Sequence, residues 1–324
     1  MSDRYARQRA LPEIGAAGQA RLGAAEVLVV GAGGLGCAVL QSLAGAGVGR
    51  LVIVDHDRVE EANLHRQPLY RMSDLGELKA GAARAALLAG NPELRIDALA
   101  ERLTAANAPR FLATAQVAID AADSFAVTYV LSDACREAGT PLVSSSVVGL
   151  SGYVGAFCGG APSYRAVFPE LPRRAGSCAQ AGVLGTAVGV LGTLQAHLAL
   201  ALLLEWQPSP LGRLISLDLR TLHIGGFSFA GASEPPGAGL AFIAPTQVSA
   251  ADIVIDLRSS SEAPEPLFPS ALRVGVEALE RAEMRFPAEP RIVLCCRSGL
   301  RAWRAARALQ SQGHANVALI ALGE

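Results

Sequence analysis

The sequence predicts an α/β protein in which a doubly wound, mostly parallel sheet is followed by a second, small α/β domain. Three observations carry this: a strand–turn–helix–strand pattern over residues 27–55, a Gly- and Pro-rich break after Phe229, and two further buried-strand runs beyond that break. With 324 residues, 51% of them hydrophobic and 18% charged, the chain has ample material for a buried core and is not a disordered polymer.

The run Val27-Leu28-Val29-Val30 has the length and β-branched content of a buried parallel strand. A helix is expected over about 36–46, and Leu51-Val52-Ile53-Val54 repeats the strand. Further strands are expected at 117–119, 141–144, 153–157 and 213–217, with Ala-rich helices at 78–89 and 128–138. The later strands lack crossover helices, so the sheet is expected to become mixed. Segment 181–204 is apolar and long enough to cross a bilayer by length alone. It also carries Gln195, His197, two Thr and several Gly, and is read as a buried core helix.

These features divide the chain into a first domain over 1–229, a linker over 230–245 and a second domain over 246–324. In the second, Ile253-Val254-Ile255-Asp256 and Arg291-Ile292-Val293-Leu294 read as parallel strands. The latter runs into Cys295-Cys296-Arg297-Ser298-Gly299-Leu300-Arg301 and an Ala/Arg-rich helix to about residue 310.

Lys and Arg total 28 against 29 Asp and Glu, a formal net charge of −1. Such a balance argues against nucleic-acid or anionic-membrane binding, which needs a basic surplus. The six cysteines contain no C-x-x-C pair, so a thiolate zinc site is not expected. Residues 1–9 carry charges with no apolar stretch after them, and a reducing cytoplasmic location is expected.

Gly31-Ala32-Gly33-Gly34-Leu35-Gly36 satisfies G-x-G-x-x-G between a strand and a helix, with Asp55 ending the next strand. Glycines there let the backbone approach a phosphate at the positive helix end, and Asp55 can accept hydrogen bonds from ribose hydroxyls. The loop alone does not choose between a dinucleotide such as NAD and ATP. Asp57, Asn63, Arg66 and Gln67 follow closely, and Lys79 is the only lysine in the chain. Arg66 and Lys79 suit a leaving pyrophosphate, which an NAD site does not have. Asp123, past the 117–119 strand, is placed to hold magnesium or to cap a helix.

Arg4-Tyr5-Ala6-Arg7-Gln8, the glycine loop, Asp55-His56-Asp57, Asn63-Leu64-His65-Arg66-Gln67, Lys79 and Asp120-Ala121-Ala122-Asp123-Ser124 follow one another in an order and spacing that resembles the MoeB/ThiF adenylyltransferases over about residues 4–225. The resemblance implies a Rossmann-like fold, ATP and Mg2+ as cofactors, and adenylation of the C-terminal glycine of a ubiquitin-like sulfur-carrier protein ending in Gly-Gly. It implies contacts to ATP or magnesium from Gly31, Gly33, Gly34, Gly36, Asp55, Asp57, Asn63, Arg66, Gln67, Lys79, Asp123 and Ser124. Arg7 resembles an arginine donated across a homodimer. Cys178 aligns with a cysteine able to form a thioester or acyl disulfide, or is a small residue before a buried helix. Family members commonly bind zinc through two C-x-x-C pairs. Here the first falls at Ser163-Tyr164-Arg165-Ala166 and the second region, 216–226, has no cysteine, so structural zinc is expected to be absent.

In the second domain, Cys296-Arg297-Ser298-Gly299-Leu300-Arg301 resembles the persulfide-bearing loop of rhodanese-like sulfurtransferases, and Asp256-Leu257-Arg258 their earlier strand motif. A helix N-terminus with Arg297 and Arg301 is expected to depress the Cys296 thiol pKa. Cysteine phosphatases normally have five residues between Cys and Arg, and here there are four. The Gly-His-Ile-Pro-Gly-Ala segment of the family is not recognisable at 267–273, and the domain is read as a shortened one. Together the halves imply sulfur transfer from Cys296, loaded by a donor such as a cysteine desulfurase, to the adenylated carrier. The competing readings are adenylation of another carboxylate, an NAD-dependent oxidoreductase, and a non-catalytic partner-binding scaffold.

Overall fold

The computed structural model describes residues 3–172, 182–237, 239–287 and 289–323. A short helix α1 (Ala6–Arg9) and α2 (Gly15–Ala24) precede the first sheet unit. That unit runs β1 (Glu26–Val30), α3 (Gly34–Ala46), β2 (Arg50–Val54), α4 (Lys79–Gly90), β3 (Arg95–Leu99), α5 (Ala108–Leu112), β4 (Val117–Asp120) and α6 (Phe125–Ala138). It continues through β5 (Pro141–Val148), β6 (Ser151–Cys158), α7 (Tyr164–Val167), α8 (Gly185–Leu203), β7 (Arg213–Asp218) and β8 (His223–Ser228).

The strand order is β3-β2-β1-β4-β5-β6-β7-β8. The five strands β1 to β5 are parallel and β6 to β8 join antiparallel, so the sheet is mixed. The β5–β6 and β7–β8 connections are hairpins, which reverse the chain, whereas α7 and α8 lie between the antiparallel β6 and β7. The order reverses between β1 and β4, the point where doubly wound folds open a crevice at the strands' carboxyl ends. The sequence pattern predicts no strand at β3 or β8: β3 is only partly buried and β8 is largely exposed, so neither shows an unbroken apolar run.

Helix α8 has the length and composition of a membrane span, with a mean hydropathy of 1.6. Its Ala187, Val188, Leu191, Ala196, Ala199 and Leu203 are nevertheless buried in the core of the first unit. Gly192 lets it approach α3, since a Cβ there would stand 2.7 Å from Leu35 O.

The second unit comprises β9 (Ala241–Phe242), β10 (Ile253–Asp256), β11 (Leu272–Arg273), α9 (Val276–Glu280), β12 (Ile292–Cys296), α10 (Leu300–Ser311) and β13 (Val317–Ala321). Its parallel sheet has the order β11-β10-β12-β13-β9, with β12 central. Segment 230–245, expected as a linker, contains β9, the outer strand of this sheet. Leu240 and Phe242 are buried in a hydrophobic cluster that runs from Tyr129 and Phe157 of the first unit to Trp303 and Leu309 of the second.

The contact between the units is specific. Tyr129 on α6 meets Trp303 of α10 at 5.4 Å between ring centroids and Phe242 at 6.4 Å. Trp303 Nε1 donates to Glu170 at 3.0 Å, and Arg307 pairs with the same carboxylate. Arg165 lies over the Tyr129 ring, forms a bidentate pair with Asp133 and donates to Leu240 O at 3.0 Å.

Candidate active site

The glycine loop leaves β1 and enters α3, and three of its glycines are required by close approach. Gly31 has φ +95°, and a Cβ there would lie 2.7 Å from Ala121 O; one on Gly36 would lie 2.0 Å from Gly31 O. Gly34 makes room for α8 and the Arg66 loop, because its Cβ would meet Val188 at 2.7 Å and Arg66 O at 3.3 Å. Gly33 caps α3 without a side-chain hydrogen bond and has only the Gln67 amide, at 3.8 Å, near its Cβ position. The first N–H groups of a 13-residue helix thus stand at this turn with no side chain capping them from the N-cap position.

Asp55 follows β2 and accepts from Ala32 N at 2.7 Å and Asp57 N at 2.8 Å, so one carboxylate braces the glycine loop and its own turn. Burial raises its pKa more than those two donors lower it. Lys79, 5% exposed at the start of α4, donates from Nζ to Asp57 at 3.0 Å. Tyr70 OH donates to Ala32 O at 2.6 Å and joins that helix start to the loop through Lys79 O at 3.3 Å. Arg66 Nη2 donates to Asn63 Oδ1 at 2.7 Å, which orients its guanidinium. Gln67 is 3% exposed, and its Oε1 is buried without a partner among the described residues. A buried unsatisfied acceptor beside the loop is what a bound nucleotide's donors would satisfy.

From β4, Asp123 is exposed one residue before Ser124, the N-cap position of α6, and is therefore not the cap itself. The residues expected around the nucleotide thus gather on loops at the carboxyl ends of β1, β2 and β4. Their chemistry suits ATP with a divalent cation: a glycine turn at a helix N-terminus, the Asp55 carboxylate, the cations Arg66 and Lys79, and the exposed Asp123 carboxylate. Asp55, His56 and Asp57 also bring ligand-capable atoms within 4.8 Å of one another.

Arg7 is exposed on α1, at the other end of α3. Its neighbours show this: Tyr5 packs against Gly47, which caps the C-terminus of α3, and Gln8 donates to Ala46 O at 2.8 Å. A 13-residue helix is about 20 Å long, so Arg7 does not reach the glycine loop of its own chain. Cys178 lies outside the described residues.

Where the resemblance places the first zinc pair, Ser163 donates from N and Oγ to Glu234, each at 2.7 Å. Glu234 also pairs with Arg136. The intervening Tyr164 is buried in the aromatic cluster. These four positions offer no set of zinc ligands and are held by ordinary hydrogen bonds and packing.

In the second unit, Cys296 ends the central strand and its Sγ accepts from Gly299 N at 3.2 Å and Ala302 N at 3.4 Å. The expected depressed thiol pKa is not met. Cys296 is 0% exposed, and burial raises the pKa more than the two amides and Arg301 lower it. Arg301 is itself engaged, donating to Glu262 at 2.6 and 2.7 Å and to Leu257 O at 2.9 Å. Ser298 and Arg297 are exposed at the rim, and Leu300 opens α10. Cys295 faces the other side of the sheet, where burial pushes its thiol to about 12.

The sequence assigns no role to Tyr70 or Ser144, and names Gln195 only as a polar residue in an apolar helix and Asp120 only as part of a motif. The signal for Asp120 was present, since it recurs at a strand end as Asp55 and Asp256 do. Each of the three accepts the backbone N–H two residues on.

The ThiF family matches residues 5–235. A sulfur carrier protein adenylyltransferase of Thermus thermophilus is 44% identical over 224 residues, 67% of this chain and 83% of that protein. The adenylyltransferase and sulfurtransferase MOCS3 of Bos taurus is 46% identical over 218 residues, 66% of this chain; the match spans 48% of the bovine protein, about half its length. The SAMP-activating enzyme E1 of Haloferax volcanii is 40% identical over 218 residues, 67% of this chain and 81% of that protein. Among solved structures, Escherichia coli MccB with MccA-N7isoASN superposes with a TM-score of 0.62 at 22% identity, over 73% of this chain and 74% of that one, a likeness of fold. By the match over residues 5–235 and the 44% identity to the Thermus thermophilus protein, the chain belongs to the ThiF family.

Proposed function

We propose that this chain adenylates the C-terminal glycine carboxylate of a ubiquitin-like sulfur-carrier protein with ATP, and that a Cys296 persulfide then supplies sulfur to make the thiocarboxylate. The observation that supports the first part is the glycine loop braced by Asp55, with the Lys79–Asp57 pair on the loop after β2, Gly34 packed against Arg66, and Gly31 packed against the Ala121–Ala122 peptide that precedes Asp123. The names of the relatives from Thermus thermophilus and Haloferax volcanii support a protein acceptor over a small molecule.

A carrier carboxylate oxygen attacks the α-phosphorus of ATP. The bond from that phosphorus to the oxygen bridging to the β-phosphate breaks, and pyrophosphate leaves with the electron pair. Lys79 and Arg66 stabilise the charge developing on the phosphates, an electrostatic effect that strengthens in a water-poor crevice. Magnesium, held by Asp123, would neutralise phosphate charge when bound. Asp55 orients the ribose, and Gln67 Oε1 accepts from the nucleotide. Arg7, remote from its own loop, serves the partner's site in a homodimer. No nucleic acid or membrane takes part, and the reaction belongs to the cytoplasm.

In the second step the outer sulfur of the persulfide attacks the acyl carbon, the carbon–oxygen bond to AMP breaks, and AMP leaves. A second thiol, Cys178 or a small-molecule thiol, then attacks Cys296 Sγ and releases the thiocarboxylate. The resulting disulfide is reduced by cellular thiol. A persulfide places its reactive atom about 2 Å beyond Sγ, which lets a buried cysteine meet its substrate. A sulfur donor of the cysteine-desulfurase class loads Cys296.

The test is mass spectrometry of a Gly-Gly-terminated carrier incubated with the protein, ATP, magnesium and a persulfide donor. An ATP-dependent exchange of one carrier oxygen for sulfur, lost in Cys296→Ser with adenylate still forming, supports both steps. An unmodified carrier across a panel of such proteins contradicts the proposal.

A further inference from the structure

Between the crevice and the core lies a buried polar hub. Asp120, the last residue of β4, is 1% exposed and accepts from Ser144 Oγ on β5 at 2.8 Å and from Ala122 N at 3.3 Å. Its backbone carbonyl accepts from Gln195 Nε2 on α8 at 2.6 Å, and the same amide donates to Val143 O at 3.0 Å. Every donor aimed at the side chain needs an acceptor, which a carboxylate supplies and a hydrocarbon does not.

Two features connect this hub to the ligand site. The Ala122 N–H belongs to the Ala121–Ala122 peptide, against which Gly31 packs so closely that a Cβ on Gly31 would lie 2.7 to 2.9 Å from its O, C and N atoms. Ala121 N in turn donates to Val30 O, at the last residue of β1. One residue further on stands Asp123. The Ala121–Ala122 peptide is therefore both the floor under the glycine loop and the root of the loop carrying the exposed carboxylate.

We propose that Asp120 is the positioning residue of this nucleotide site: by accepting Ala122 N–H it fixes the Ala121–Ala122 peptide against Gly31 and so sets where Asp123 meets a magnesium–ATP complex. This rests on the nucleotide reading above. The function required is acceptance at that amide, not negative charge. Asn keeps the acceptor, and its Nδ2 can donate to Ser144 Oγ, because a hydroxyl works in either direction. Ala removes the acceptor and leaves a buried N–H unpaired.

The test is calorimetric titration of the full chain with ATP, once in EDTA and once with saturating magnesium, beside a thermal melt of each variant. In EDTA, wild type, Asp120→Asn, Asp120→Ala and Ser144→Ala should bind ATP alike. With magnesium, wild type, Asp120→Asn and Ser144→Ala should gain affinity equally to within about threefold, while Asp120→Ala should gain at least tenfold less. Should Asp120→Ala fail to melt as a folded protein, Asp120→Leu, which fills the space without an acceptor, replaces it. A folded Ala or Leu variant with the wild-type magnesium gain overturns the proposal, and so does an Asn variant as defective as Ala, which would assign the effect to charge. Wild type that binds no ATP in either condition overturns the nucleotide reading itself; wild type that binds while the variants fail to separate overturns this inference alone.

Discussion

The Gly31–Gly36 loop after β1 and the Cys296–Arg301 loop after β12 are built alike, each a buried parallel strand turning through glycine into a helix N-terminus, yet they offer opposite surroundings to an anion. At the first, only the Gln67 amide, at 3.8 Å, stands near the Cβ position of Gly33, and Gln67 Oε1 has no partner among the described residues. At the second, Phe242 fills the turn, 2.7 Å from where a Cβ of Gly299 would be, and Cys296 Sγ already takes the amides of Gly299 and Ala302. The cations differ too. Lys79 is paired with a half-exposed Asp57, whereas Arg301 is tied to Glu262 and a backbone carbonyl. A helix N-terminus favours an anion only to the extent that burial permits it. The first loop is fitted to receive a charged ligand from outside, and the second holds its own sulfur beneath the surface.

That contrast can be broken or sharpened by substitution. The largest effect is expected at the junction of the two units. Trp303→Ala should cost about 3–5 kcal/mol in urea unfolding, because the ring packs on Tyr129 and Phe242 and bonds Glu170. A loss confined to a separate, earlier transition would show that the units unfold independently. Next, Lys79→Ala should lower ATP–pyrophosphate exchange about 10²–10³-fold, whereas Arg301→Ala should leave exchange within about twofold. Equal losses would erase the distinction between the loops.

A smaller effect tests the balance at Cys296. Glu262→Gln releases the Arg301 guanidinium to act on the thiol, so alkylation of Cys296 by iodoacetamide should run roughly threefold faster at pH 8. An unchanged rate would leave burial as the only control.

The smallest effect is on stability as a function of pH, and it has opposite signs in the two units. Burial pushes the Asp120 carboxyl to about 6, above the ~3.9 of an unfolded chain. The folded first unit therefore binds the extra proton, and its stability rises as pH falls from about 7 through 6 toward 4. At Asp256 burial alone would raise the pKa, but the Arg258 side chain and the Arg258 and Leu267 amides together hold it at about 2. The second unit is thus fully stabilised above about pH 4 and loses that stabilisation as pH falls through 2. Thermal melts between pH 3 and 7, with Asp120→Asn flattening the upper part of the profile, check both signs.

The glycine loop, Asp55 and the β1–α3–β2 unit were legible because strand, turn and helix signals are contiguous in the chain. Lys79 stood out by being the only lysine. The two-residue strands β9 and β11 carry too little pattern to be read, and β9 lies in a stretch whose Gly and Pro content suggests a linker. The acidity of Cys296 was misjudged because its burial depends on Phe242, 54 residues earlier, and on the packing of α10. Asp120 was quoted without a role for the same reason. Its partners Ser144 and Gln195 are 24 and 75 residues away, and only the folded sheet brings them to it.

The most direct measurement of the central claim is ATP–pyrophosphate exchange by the purified chain with magnesium and a panel of ubiquitin-like carriers ending in Gly-Gly. Exchange that requires one carrier, needs its terminal glycine, and disappears in Lys79→Ala and Asp123→Ala is the predicted result. Absence of exchange with every carrier, from protein that binds ATP, would contradict carrier adenylation and return the crevice to a different carboxylate.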